Sequence, residues 1–134
     1  TLAISSAASD VYKRQELITA STENIPVKIV VFNNGNHGMV RQWQKIFYNS
    51  KFSASELGHV VPDYVKLAES MGAVGLRMTK KSEVKNVFSE MLKINDKPVL
   101  IDCVVDPEDM VFPMVPAGGS NDQIILNEED LKNL

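Results

Sequence analysis

The residues best suited to chemistry form one cluster, Asn33-Asn34-Gly35-Asn36-His37-Gly38. Its asparagines offer neutral, hard oxygens, a donor type that suits Mg²⁺ better than any soft metal. Gly38 permits close approach to the backbone, and a helix starting there would aim its first N–H groups at an anion such as a phosphate. The pattern points to Mg²⁺ with a phosphorylated ligand. The same residues also satisfy a plainer need, a turn with left-handed backbone, which Asn and Gly fill readily. Met39, Trp43 and Phe47 then recur every four residues along one helical face, which can be core or pocket lining. Arg41 could steer a carboxylate or lie on the surface. Cys103, inside an apolar run, reads as a small buried hydrophobe. Lys80-Lys81 and Glu128-Glu129-Asp130 read as solvated helix ends.

These residues need a scaffold, and the chain supplies one. Val27 to Phe32 is a continuous β-rich apolar run, expected as a parallel strand buried on both faces. The helix of Met39, Trp43 and Phe47 follows, then a polar loop over residues 51–61. Pro62 and Asp63 open a second helix carrying Val65, Leu67, Ala68 and Met71, with Gly72 as terminator. A short strand is expected over Ala73 to Met78. Thr79 is then the candidate N-cap of a third helix with the stripe Val84, Val87, Phe88, Met91 and Leu92. Asn95-Asp96 ends that helix. Pro98 to Asp106 is a further buried strand, residues 107–122 are loop-like, and NEEDLKNL is expected as a short closing helix. Strands alternating with helices imply an α/β fold with an open parallel sheet, and such sheets bind ligands beyond the carboxyl ends of their strands.

Composition narrows the class. With 134 residues, 44% of them hydrophobic, the chain can build one packed core. A net charge of −3 without a basic run argues against nucleic acid and anionic membrane as partners. One cysteine excludes an internal disulfide and a structural zinc site of thiolates. No apolar stretch approaches the roughly 20 residues of a membrane-spanning helix, and no signal peptide is evident. A soluble, cytoplasmic protein is expected.

Longer segments are more specific. VKIVVFNNGNHGMVRQWQKIFY resembles the thiamine-diphosphate motif of acetolactate synthase (acetohydroxyacid synthase) catalytic subunits. The likeness continues through PDYVKLAESMGAVGLRM and KPVLIDCVVDPEDMVFPMVPAGG; GMVRQWQ and FPMVPAGG mark this branch in particular. The resemblance implies an incomplete doubly wound parallel sheet flanked by helices, the C-terminal part of a thiamine-diphosphate-binding domain over residues 16–134. It implies Mg²⁺ ligands at Asn34, through its side-chain oxygen, and at Asn36, through its carbonyl. His37, Gly38 and Met39 would line the diphosphate and thiazolium, so His37 is expected to act through its backbone, not as a base. Met39, Trp43 and Phe47 would face the second 2-keto acid. The implied reaction is decarboxylation of pyruvate and ligation to a second pyruvate or to 2-ketobutyrate, in branched-chain amino-acid biosynthesis. The family's activating glutamate and its FAD site lie elsewhere in a longer chain. No catalytic residue is therefore expected in this stretch, and it should not turn over alone. Homodimers or tetramers and a regulatory small subunit are the family's partners. Another thiamine-diphosphate carboligase or decarboxylase, or a non-catalytic α/β binding module, are the alternatives.

One segment departs from the pattern. The family places Gly-Asp-Gly/Ala about 27 residues before the second Asn, and its Asp is the charged Mg²⁺ ligand. Here that position is Ala7, and Asp10 is displaced and lacks the glycines. Ser5 to Gln15 instead resembles the in-frame translation of a transposase adapter used in sequencing libraries. Residues 1–15 are accordingly expected to be a foreign, unstructured segment, with native sequence from Glu16, or Gln15.

Overall fold

The computed structural model describes residues 2–3 and 15–133, which fall into two compact units. The first takes the described residues of Thr1–Asn34 together with Val60–Val105; the second takes those of Gly35–His59 and Asp106–Leu134. Among the described residues no helix is long and apolar enough to cross a membrane.

The first unit is a parallel four-stranded sheet in the order β1-β2-β4-β3, built from β1 (Leu2–Ala3), β2 (Lys28–Asn33), β3 (Val74–Met78) and β4 (Val99–Val104). Three helices belong to it: α1 (Glu16–Thr22), α3 (Tyr64–Ser70) and α4 (Val84–Lys93), with α2 (Gly38–Phe47) in the other unit. β4 is central because its run Val99-Leu100-Ile101-Asp102 is buried throughout. On one face Leu17, Ala68, Ala73 and Leu100 form a cluster with Ile29, Val31 and Tyr64. On the other, Met78, Met91, Val99 and Ile101 pack with Val30, Leu76 and Phe88. Helices thus cover both faces, the doubly wound arrangement. Each fully buried Val, Ile or Met stabilises the fold by about 1.5–3 kcal/mol. Gly75 lets the main chain of α3 lie directly on β3.

Several expectations need correction. Leu2 and Ala3, within the segment expected to be unstructured, pair with Lys28 and Ile29; residues 4–14 lie outside the described residues. α1 has too weak a periodicity to be read from sequence, since it buries only Leu17 and Ala20. β2 is not buried on both faces: Phe32 is 69% exposed, because α4 packs over β3 and β4. Thr79 does not cap a helix with its hydroxyl. Its N–H and that of Lys80 instead donate to Glu83 Oε2 (2.8 and 3.0 Å), in a 3₁₀ turn, Lys81–Glu83, that leads into α4. The Glu83 carboxylate, an ionised acceptor, takes both of these N–H groups at the start of the turn. The NEEDLKNL segment is a 3₁₀ helix, Glu128–Asn133, where Asp130 accepts from the N–H groups of Leu126 and Asn127. Within residues 107–122, expected as loop, Met114 forms an antiparallel bridge with Ile125.

Polar side chains tie the first unit's helix ends. Lys28, buried in β2, donates through Nζ to the carbonyl of Ile94 just past α4, where a cation also meets the negative helix end. Asp63 caps α3, accepting from Val65 N–H (3.2 Å) and Lys66 N–H (3.3 Å). The Lys66 N–H, and after it Arg77, hold the Asp63 carboxyl below its usual range. A depressed folded-state pKa gives stability that is present above the unfolded value, near 3.9, and lost as pH falls through the folded one. Urea unfolding at pH 6, 4 and 3 is expected to show that loss below about pH 4. Asp63→Asn should reduce it, the remainder coming from Glu83, Glu108 and Asp122, whose carboxyls are also held low; an unaltered slope would show that the cap contributes no acid sensitivity.

Candidate functional site

Asn34 is the first residue beyond β2 and the last of the first unit. Just before it, the Asn33 carbonyl accepts from Val105 N–H (3.0 Å), and its side-chain amide donates to Asp102 Oδ1 (3.0 Å). Gly35 has φ +67°, the left-handed backbone that the turn demands. No atom lies within 4 Å of where its Cβ would stand, so the demand is conformational, not steric.

Gly35 to Phe47 belongs to the second unit. The turn there is more than a simple reversal. The Gly35 carbonyl accepts from Leu57 N–H (3.0 Å), Asn36 bridges Glu56, and His37 N–H donates to the Ser55 carbonyl (2.8 Å). An antiparallel pairing with residues 55–57 therefore fixes the approach to α2 (Gly38–Phe47). His37 is the N-cap, but its side chain does not cap, and its ring is exposed. The helix thus starts at a glycine, with no capping side chain from the N-cap over its first turn.

α2 is amphipathic in an inverted sense. Arg41 and Gln42 are its buried residues, whereas Met39 and Val40 are each more than half exposed. Trp43 and Phe47 stack on the same open side, ring centroids 5.1 Å apart at 52°. Met39, Val40, Trp43, Gln44 and Tyr48 line a shallow depression of ≈ 450 Å³. An apolar stripe is placed outward here and a polar one inward, which costs burial and calls for polar partners.

Those partners come from residues 106–114 and 52–56. Arg41, 9% exposed, pairs with Glu108, bonds the Pro107 carbonyl (3.1 Å), reaches Glu56 (3.4 Å) and lies over the Phe52 ring at 4.4 Å. It does not sit on the surface, and its planar fork meets internal acceptors. The Glu108 bond, against burial, raises its already high pKa. Gln42 pairs with the Val111 main chain in both directions, donating to its carbonyl (3.0 Å) and accepting from its N–H (2.8 Å). Gln44 similarly meets the Ser53 main chain.

The expected site residues are therefore divided. Asn34 closes the first unit, while Asn36, His37, Gly38, Met39, Trp43 and Phe47 lie along one turn and helix of the second. Missed by the sequence reading were Gln42, whose signal was a polar residue set opposite an apolar stripe, and Asp102, a lone charge in an apolar strand. Cys103 is half-buried, and burial, then the Asp102 charge, raises its thiol pKa away from a reactive thiolate.

The donor types on either side of the unit boundary, each taken by itself, are of the kind Mg²⁺ accepts. Amide and carbonyl oxygens at Asn34 and Asn36 are hard donors, and the open, glycine-started helix suits a phosphate. Among the described residues no three His, Cys, Asp or Glu cluster as a metal site.

A family model for the thiamine pyrophosphate enzyme, C-terminal TPP-binding domain, matches residues 9–103. The chain belongs to this family. It is 50% identical over 113 residues to an acetolactate synthase of Mycobacterium bovis, and 48% identical over 113 residues to an acetolactate synthase large subunit of Corynebacterium glutamicum. Each match covers 82% of this chain and 18% of the relative, so the chain spans about a fifth of their length. A thiamine diphosphate-dependent 4-hydroxybenzoylformate decarboxylase of Rhodococcus jostii RHA1 superposes with a TM-score of 0.63 at 28% identity, over 75% of this chain and 18% of that one. The chain thus shares its fold with part of that enzyme.

Proposed function

We propose that the chain is the C-terminal part of the thiamine-diphosphate-binding domain of an acetolactate synthase catalytic subunit. The observation that carries this reading is the inverted helix α2, which offers Met39, Trp43 and Phe47 outward while Arg41 and Gln42 hold the helix down. Asn34 and Asn36 would hold Mg²⁺, and His37, Gly38 and Met39 would flank the diphosphate and thiazolium. When bound, the cofactor supplies an electron sink for decarboxylation of a 2-keto acid. The chain's own contribution is placement. Gly38 opens the helix toward the phosphates, and the Met39–Trp43–Phe47 face excludes water and packs against the alkyl group of the second substrate. Pyruvate would be that substrate, or 2-ketobutyrate, within branched-chain amino-acid biosynthesis in the cytoplasm. FAD, the activating glutamate, the homodimer or tetramer contacts and a regulatory small subunit would lie outside this stretch. The 134 residues alone would be inactive. We further propose that residues 5–15 are foreign sequence.

Replacing Trp43 tests the reading. In the full-length protein with glycine, aspartate and glycine restored at Ser6, Ala7 and Ala8, Trp43→Leu should reduce the preference for 2-ketobutyrate over pyruvate by about fivefold. The extra methylene of 2-ketobutyrate gains roughly 1 kcal/mol against a large apolar surface. An unchanged product ratio at equal substrate concentrations would make Trp43 a packing residue. The Rhodococcus likeness supports a second reading, a simple decarboxylase, and release of aldehyde without a ligated product would favour it.

A further inference from the structure

The sheet face beneath α3 is apolar except at the carboxyl ends of its strands. There Asp102, 1% exposed, has both oxygens engaged: Oδ1 accepts from the Asn33 amide (3.0 Å), Oδ2 from Arg77 Nε (2.9 Å). The other arm of Arg77 donates to Asp63 Oδ1 (2.7 Å) at the start of α3. Registry explains the contact: Arg77 stands directly opposite Asp102, and Asn33 lies two residues beyond Asp102's partner, Val31, on the same face. Desolvating a carboxylate costs several kcal/mol, which pairing only offsets, so an apolar residue would serve stability as well. What the charge provides is direction. An ionised carboxylate only accepts, so Asn33 must turn its amide N–H toward it. With its carbonyl bonded to Val105, Asn33 is tied to β4 by both main chain and side chain, and Asn34 is the first residue to leave.

We infer that Asp102 is a positioning residue for the metal site: through Asn33 it fixes the point and direction from which Asn34 leaves the sheet. The inference rests on the reading of Asn34 as a ligand to a divalent cation. Partners that orient metal ligands typically contribute 10- to 100-fold in metal affinity.

The test uses the full-length protein carrying this chain with glycine, aspartate and glycine restored at Ser6, Ala7 and Ala8, titrated with Mg²⁺ at fixed thiamine diphosphate. Asn33→Ala keeps the Asp102–Arg77 pair and removes only the tether; Asp102→Asn removes the charge; Met78→Ala, on the opposite face, is a core control. Both tether variants should weaken Mg²⁺ binding by roughly tenfold or more, with the binding signal recovered at proportionately higher Mg²⁺. Met78→Ala should lower the thermal midpoint and leave the Mg²⁺ dissociation constant unchanged. Unaltered Mg²⁺ affinity in Asn33→Ala, or equal weakening in Met78→Ala, would overturn the inference. Absence of Mg²⁺-dependent binding in the restored parent protein would instead overturn the reading beneath it, and the inference with it.

Discussion

Gly75→Ala is expected to destabilise the chain by about 1–2 kcal/mol, although alanine ordinarily improves on glycine within a strand. The usual gain is about 0.5–1 kcal/mol, from the smaller loss of backbone freedom on folding. Against it stands the neighbour. A Cβ at Gly75 would lie 2.6 Å from the Val65 carbonyl oxygen, 2.8 Å from its Cα and 2.9 Å from its Cγ1. Two of these atoms are main chain of α3 and cannot rotate aside, so the helix must lift from the sheet. Overpacking of this kind costs typically 1–3 kcal/mol, and more where backbone has to move. The helix in question covers the Ala68–Leu100 cluster, so lifting it also exposes apolar surface. Urea denaturation of the purified chain measures the change. Neutral or increased stability would show that α3 is free to shift. Full rescue of Gly75→Ala by Val65→Ala would place the conflict at Cγ1 instead of the main chain.

The second large effect concerns the metal. The 134-residue chain is expected to bind thiamine diphosphate with excess Mg²⁺ too weakly to detect at micromolar concentrations. Restoring glycine, aspartate and glycine at Ser6, Ala7 and Ala8 should tighten binding at least a hundredfold, about 2.7 kcal/mol. Mg²⁺ holds a near-octahedral oxygen shell and normally takes one or two protein carboxylates. Asn34 and Asn36 are neutral, and Ala7 stands where the family resemblance puts the aspartate. Residues 6–8 lie outside the described residues, so the expectation rests on sequence spacing and on the charge the ion requires. Isothermal titration before and after the triple substitution measures it. Micromolar binding by the unmodified chain would show that the neutral oxygens suffice.

How far the sequence could be read follows from the range of each interaction. Continuous apolar runs and four-residue spacing are local signals, and they located β2, β4, α2, α3 and α4 to within a few residues. The turn at Asn33 to Gly38 was likewise legible, because its residue types state a backbone need. Periodicity says which residues share a face but not which way the face points. Met39, Trp43 and Phe47 therefore fitted a core as well as a pocket until Arg41 and Gln42 were found beneath the helix. Asp102 was illegible for a different reason. Its partners stand 25 and 69 residues away, at Arg77 and Asn33, and only strand registry brings them together. The 3₁₀ ending at Glu128 was missed because an acidic cluster serves a capped 3₁₀ turn as readily as the first turn of an α-helix.

The strand order also sets a clock for synthesis on the ribosome. β2 and β3 are both made before β4, yet neither touches the other in the sheet; each is completed by β4, the last strand to emerge. Roughly seventy residues separate Asn33 from Val104. At about 5–20 residues per second, the inner edge of β2 waits roughly 4 to 14 seconds for its partner. Over that interval Ile29, Val30 and Val31 belong to a nascent chain whose sheet cannot close. A chaperone that shields extended apolar segments would act here, and ribosome stalling before Val104 would leave an aggregation-prone product instead of a smaller folded one.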